Sequence, residues 1–301
     1  MKYVAAFDVG GTTIKSILVD ENLTVVSTSI TATPSGDITG VKTVEEINTV
    51  VANFSAHVEI SAVGLVVPGA LDEVNGRSRW SGNLHWRDLP IRDLVSARTH
   101  LPVAFGHDVR AGGLAELRAG AAQGYTQAIF IPIGTGIAAA LIIDGAIRAV
   151  DGFAGEIGHL NVGAPYDCVC GRTGCLEAVA SALAISKAYE RLTGEKGVEA
   201  AEVLTLVVAG NSAAKKIWDE ATLALSKTCE MLITILSPEI IIFGGGVSQA
   251  GSLLIDPIRN NLEETLTFQR LPELKIAEFG TQAGAIGCAM MAFDLIGVKY
   301  Q

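Results

Sequence analysis

Short apolar runs separated by acidic or glycine-bearing turns open the chain. Tyr3–Phe7 is apolar, Ile14–Val19 alternates, and Leu23–Ser29 is rich in β-branched residues, with turns at Asp8–Thr13 and Asp20-Glu21-Asn22. This pattern predicts three antiparallel strands with a glycine-rich first hairpin. Apolar residues at Val44, Ile47, Val50, Val51 and Phe54 then share one helical face over Thr43–His57, and Thr43 followed by Glu46 reads as the helix start. Ala62–Val67 predicts a buried strand stopping at Pro68-Gly69, Ile91–Arg98 a helix, Val103–Phe105 a short strand, and Val109–Gly120 a helix leaving Asp108. A second strand-turn-strand pattern begins at Ala128: Ala128–Ile133, a turn at Gly134-Thr135-Gly136, Ile137–Ile143, an Asp144-Gly145 hairpin signal and Ala146–Val150. Helical patterns cover Ala178–Thr193, Glu199–Ala209 and Ser212–Leu236, the strand Ile240–Phe243 runs into Gly244-Gly245-Gly246, and Ala283–Ile296 predicts a final helix.

Two strand-turn-strand patterns, each followed by helices, predict a duplicated α/β architecture with two sheets facing across a cleft. We expect a first domain over residues 1–115 and a second over 116–283, with the last helix, 284–301, returning to the first; a length of 301 residues suits two domains. A net charge of −10 disfavours nucleic acid and anionic membrane surfaces as partners. The N-terminal apolar stretch is too short for a secretory segment, and the uncharged run Ala119–Ile143 carries Gln123, Gln127, Pro132 and several glycines, so it reads as strands and loops. The expected location is the cytoplasm. There, a cluster such as Cys168, Cys170 and Cys175 points to metal rather than disulfides, while Cys229 and Cys288 read as small buried residues.

Asp8-Val9-Gly10-Gly11-Thr12-Thr13 ends a strand with an acid and two glycines. Such a turn lets backbone N–H groups approach a phosphate, and an acid there can hold Mg2+, usually through water. Gly134-Thr135-Gly136 offers a second turn of the same kind, and Gly244-Gly245-Gly246 can bring backbone flat against a nucleotide. Each piece alone also makes an ordinary turn. His159 with Cys168, Cys170 and Cys175 forms a one-His, three-Cys set suited to a closed tetrahedral zinc site.

Taken in this order, the pieces resemble the ROK family (repressors, open reading frames, kinases) of the actin-like sugar kinase superfamily, over nearly the whole chain. The strongest local match is Gly155-Glu156-Ile157-Gly158-His159, followed by Cys168-Val169-Cys170-Gly171-Arg172-Thr173-Gly174-Cys175-Leu176-Glu177. The resemblance implies a two-domain actin-like ATPase (ribonuclease H-like) fold of the α/β class and a homodimer. It implies a structural Zn2+ on His159, Cys168, Cys170 and Cys175, with His159, Glu156 and Glu177 also reaching sugar hydroxyls. Trp80-Ser81-Gly82-Asn83-Leu84-His85-Trp86 looks like the sugar-site segment, with Asn83 at the sugar and Trp86 packed below; Pro68–Asp72 looks like a sugar-side loop. Asp108 stands where the family carries its general base. This chain departs from the pattern beside it: His107 replaces the usual sugar-contacting Asn, and Arg110 stands where a second Asn is common. We expect His107 to face the sugar and help set which hydroxyls are recognised.

The implied activity is that of an ATP-dependent hexose kinase. Asp8 helps hold Mg2+, Gly10, Gly11, Thr12, Gly134, Thr135 and Gly136 position phosphates, and Gly244, Gly245 and Gly246 lie near the nucleotide. Asn83, His107, Glu156, His159 and Glu177 hold the sugar, and Asp108 accepts the proton. Glucose is the first expectation; N-acetylmannosamine, mannose, fructose, allose and β-glucosides stay open, as does polyphosphate as donor. A sugar-responsive repressor is the competing class, disfavoured because the first strand begins at Tyr3 with no room for a helix-turn-helix before it. An inert sugar-binding protein is the other, disfavoured by the retained Asp108 and phosphate turns.

Overall fold

The first strand, β1 (Tyr3–Val9), is apolar almost throughout, with Val4, Ala5, Ala6, Phe7 and Val9 all fully buried. A strand covered on both faces belongs in the middle of a sheet, and β1 sits there. It pairs antiparallel with β2 (Thr13–Asp20), which pairs with β3 (Val25–Ala32); on its other side it runs parallel to β4 (Ile60–Val67). β3 alternates half-buried with exposed residues, as an edge strand should. Between β3 and β4 lies α1 (Val41–Ser55). Its first turn is held by Asp37, whose carboxylate accepts from the Thr43 backbone N–H at 2.8 Å and the Thr43 hydroxyl at 2.9 Å. The helix therefore begins two residues before Thr43.

A small three-stranded sheet follows: β5 (Ala70–Asp72), β6 (Arg77–Ser81) and β7 (Trp86–Leu89). Trp86 anchors it, 1% exposed, its indole N–H donating to the Asp37 carbonyl at 2.8 Å. After α2 (Ile91–Thr99), β8 (Val103–His107) pairs parallel with β4 and runs directly into α3 (Asp108–Ala119).

The second sheet starts with β9 (Ala128–Pro132), β10 (Ala140–Ile143) and β11 (Ala146–Ile147). The predicted strand Ile137–Ile143 keeps only its last four residues in the ladder; Ile137 makes an isolated bridge to Ile133. The predicted helix Ala178–Thr193 divides into α4 (Glu177–Ala180) and α5 (Ala182–Thr193), because Ser181 is extended and its hydroxyl caps α5 at Ala184. Then come α6 (Ala200–Val208), α7 (Ser212–Leu236), β12 (Ile240–Gly244), α8 (Ser252–Thr265), β13 (Glu273–Ile276) and α9 (Ala283–Leu295).

The computed structural model describes residues 1–300 and divides the chain into two compact units. The first comprises Met1–Ala115, Ala149–Ala154 and the chain from Gln282 onward; the second comprises Glu116–Arg148 and Gly155–Thr281. The strand orders are β3-β2-β1-β4-β8 in the first and β11-β10-β9-β12-β13 in the second. In both, the first three strands are antiparallel and the fourth and fifth run parallel to the first. Each unit has its own core, the first around Phe7, Ile47, Leu65 and Trp86, the second around Ile131, Tyr189, Leu225 and Phe243. α9 packs on β1, β4 and β8. Among the described residues no helix is long and apolar enough to cross a membrane.

Candidate active site

In the first unit, β1 and β8 deliver Asp8 and Asp108 to the same end of the sheet, on either side of β4. The N-terminus of α9 reaches the same place: a Cβ on Gly284 would come within 3.2 Å of Asp8 Oδ2 and 3.5 Å of the Asp108 carbonyl. Burial, and then the Asp108 carboxylate, push the Asp8 carboxyl up to about 7. Asp108 goes the other way. Burial alone would raise it, but the charge and hydrogen bond of His107, the Val109 N–H and the Arg110 charge outweigh burial and hold it below the ordinary aspartate range. Asp108 is thus the more acidic member of the pair, and a cation beside Asp8 would relieve the repulsion between them.

The turn after Asp8 closes through Gly10 N–H to the Thr13 carbonyl at 2.9 Å, and Thr33 braces it, its hydroxyl donating to the Gly10 carbonyl at 2.7 Å. Gly11 and Thr12 are exposed at its tip. The Asn83 loop rests on this turn, so that a Cβ on Gly11 would sit 3.0 Å from Asn83 Cβ. Asn83 is exposed between buried Ser81 and Leu84. His107 lies differently from expectation in one respect: its ring is buried and its Nδ1 edge is occupied, 3.0 Å from Asp108 Oδ1 and 3.2 Å from the Val109 N–H.

In the second unit the Gly134-Thr135-Gly136 turn closes through Gly134 N–H to the Gly136 carbonyl at 3.0 Å. Glu177 at the start of α4 ties to it, Oε2 accepting from the Ile137 N–H at 2.9 Å. Glu156 is exposed ahead of a short 3-10 turn, Ile157–His159, and Gly158 lets that turn pass close to Glu177. Of the three glycines after β12, two have packing reasons of their own. A Cβ on Gly244 would strike the Phe130 ring at 2.6 Å; Gly245 is left-handed (φ 76°) and tight against the Ile133 backbone. Gly246 alone faces open space.

His159, Cys168, Cys170 and Cys175 place their ligand atoms within 4.8 Å of one another. His159 Nδ1 is 3.7 Å from Cys168 Sγ, and Cys170 Sγ is 3.6 Å from Cys175 Sγ. A tetrahedron with Zn–S bonds of about 2.3 Å has edges of about 3.8 Å, so the donor set fits zinc. The loop is held by Cys168 N–H to the Arg172 carbonyl (2.8 Å), Gly171 N–H to the Cys168 carbonyl (2.9 Å) and the Arg172 guanidinium to the His159 carbonyl (2.7 Å). Cys170 is pulled down to about 6, chiefly by the Arg172 N–H, whereas burial pushes Cys175 up to about 12. With Nδ1 turned to the Cys168 thiol, Nε2 lies on the other edge of the imidazole.

The ROK family model matches residues 4–294. The chain belongs to the ROK family. A glucokinase of Halalkalibacterium halodurans is 32% identical over 311 residues, spanning 95% of this chain and 93% of that protein. The crystal structure of a ROK family glucokinase from Streptomyces griseus, in complex with glucose and AMPPNP, is 30% identical with a TM-score of 0.86, covering 97% of this chain and 99% of that one. A xylose repressor of Caldicellulosiruptor bescii is 29% identical over 257 residues, 79% of this chain and 64% of that protein. The ROK chain accordingly has the α/β actin-like ATPase fold.

Three residues of this ROK chain escape the sequence reading. Glu73 accepts from the His107 N–H and from Arg110. Glu116, fully buried, accepts from the N–H groups of Ala121, Glu278 and Phe279 and so fixes the segment after β13. Gly284 gives Asp8 its room. None sits in a local motif; an acid shortly after Pro68-Gly69 and a glycine at a helix start are weak signals without their partners.

Proposed function

We propose that the protein is an ATP-dependent hexose kinase acting on glucose. The observation that carries this reading is the carboxylate pair Asp8 and Asp108, oppositely displaced in acidity and set beside an open glycine turn on which Asn83 rests, in a chain about a third identical to a glucokinase. Asp108 accepts the proton of the sugar hydroxyl. The freed oxygen bonds to the γ-phosphorus, the bond from that phosphorus to the β,γ-bridging oxygen breaks, and ADP leaves with the electron pair. Positioning and charge stabilisation do most of the work in such a transfer. Gly10, Gly11, Thr12, Gly134, Thr135 and Gly136 supply N–H groups to the phosphates, and Gly246, the one open glycine of its trio, leaves room for the nucleotide.

Asp8 would hold Mg2+, which supplies countercharge to the phosphates. His159, Cys168, Cys170 and Cys175 would hold Zn2+, which stabilises the loop that carries Glu177. Asn83, Glu156, Glu177 and the Nε2 edge of His159 offer the donors and acceptors that vicinal hydroxyls need. Coupled measurement of ADP release, with and without each of a panel of hexoses, tests the proposal. Turnover should require a hexose and be fastest with glucose. Sugar binding without ADP release would point to a regulator or an inert sugar-binding protein instead.

A further inference from the structure

Two departures from the family pattern flank Asp108, and one acid meets the backbone of the first and the side chain of the second. Glu73 Oε1 accepts from the His107 backbone N–H at 3.2 Å and from Arg110 Nε at 3.0 Å. Arg110 Nη2 lies 2.9 Å from the same oxygen, within charge-pairing range, yet its N–H groups find no hydrogen-bond partner. The Arg110 side chain is only 6% exposed, and it sits two residues from Asp108 in the first turn of α3. A buried guanidinium needs a carboxylate, and its planar fork favours bidentate contact with one. The acid nearest to it in sequence is Asp108, which already feels its charge.

We propose that Glu73 is a positioning residue that keeps Arg110 off Asp108. Arg110 has unused donors and is buried, so without Glu73 it turns to the next carboxylate. An Asp108 engaged by a guanidinium fork has its lone pairs occupied and is a poor acceptor for the proton of a sugar hydroxyl. Glu73 therefore acts on turnover through Arg110 and not by touching substrate. The proposal rests on the reading of Asp108 as the base.

Its signature is rescue. Glu73→Gln keeps an oxygen for the His107 N–H but removes the charge that holds Arg110. It should lower kcat at least about tenfold, a fraction of what a general base contributes, with the KM for sugar within about twofold. Arg110→Asn should lose less, and adding it to Glu73→Gln should return kcat to within about threefold of Arg110→Asn alone, the mark of coupled residues. A merely structural Glu73 would not be rescued by removing its partner. The idea is overturned if Glu73→Gln turns over like the wild type, or if the double variant stays as slow as Glu73→Gln. Should Glu73→Gln fail to fold, the comparison of the double variant with Arg110→Asn still decides, since the proposal requires them to agree. A crystal structure of Glu73→Gln is the arm independent of activity: it should show the Arg110 guanidinium on Asp108, and Arg110 left in place would sink the idea. Absence of hexose-dependent turnover in the wild type would instead remove the kinase reading, leaving the crystallographic result to judge Glu73.

Discussion

The two units carry the same sheet twice. β1 corresponds to β9, β4 to β12 and β8 to β13, and in each copy a glycine turn follows the first strand. Their chemistry differs. The first copy carries Asp8 near the end of β1 and Asp108 directly after β8, whereas the second ends β9 at Pro132 and continues from β13 into Ala277. The second unit gathers three thiols and an imidazole off the sheet, in a loop where they converge. The carboxylates are placed by long-range strand pairing. The thiols are placed by a short loop, for which a bound ion is the natural staple. A duplicated topology thus supplies two glycine turns, and only the first copy sets a pair of carboxylates beside its turn.

The sharpest way to break this contrast is Asp108→Asn. It should reduce kcat by about 10²–10⁴-fold while leaving sugar binding by calorimetry nearly unchanged; a variant retaining more than about half of wild-type kcat removes Asp108 from the role of base. Asp8→Asn comes next, with a loss of about tenfold for each ~1.4 kcal/mol of lost transition-state stabilisation, and it should have an opposite effect on stability. The Asp8 carboxyl is raised from 3.8 to about 7. The folded state therefore holds a proton through that interval which the unfolded state has lost, and ionised Asp8 weakens the fold fully only above about pH 7. Without Mg2+, Asp8→Asn should melt higher than wild type at pH 8 and show no such gain near pH 4. Equal melting at pH 8 would argue that Asp8 is not strained in the apo protein.

For the second unit, protein purified without added zinc should contain one zinc per chain by metal analysis. Cys170→Ser should lose the metal and some degrees of Tm, at about 2–4 °C per kcal/mol for a domain of this size. Folded, active protein free of zinc would end that assignment. The smallest effects compare the two turns directly. A methyl at Gly11 meets Asn83 Cβ at 3.0 Å, so Gly11→Ala should raise the sugar KM by a factor of several, as overpacking of about 1 kcal/mol implies. At Gly136 the methyl meets only the far end of the Glu177 side chain, at 2.7 Å, so Gly136→Ala should do less. The reverse order would mean that the second turn carries more of the binding.

The regular elements with strong periodicity are legible from the pattern: α7 spans Ser212–Leu236 as predicted, and β12 differs by one residue. The elements that escape do so for identifiable reasons. Arg77–Ser81 and Trp86–Leu89 are polar strands, and Asp88 at φ 48° spoils any alternation. Pro257 lies inside α8 and interrupts its helical signal. β13 has four residues, two of them the charged Glu273 and Lys275. At the site, motif order locates Asp108, His107 and the thiol loop, because those residues are close in sequence to what they serve. It is silent on Glu73, which meets His107 and Arg110 across 34 and 37 residues. It also gives the position of His107 without the direction of its ring.

The short return of Ala149–Ala154 to the first unit has a consequence for how the molecule can be divided. Gly152 is packed against the Leu71 backbone, and Asp151 pairs with Arg79 at 3.2 Å. The chain changes unit at Ala115/Glu116, Arg148/Ala149, Ala154/Gly155 and Thr281/Gln282. No single cut yields two contiguous halves, so a protease nick or a recombination joint anywhere along the sequence leaves at least one unit assembled from separate fragments. Shuffling a whole unit between relatives therefore requires several simultaneous joints.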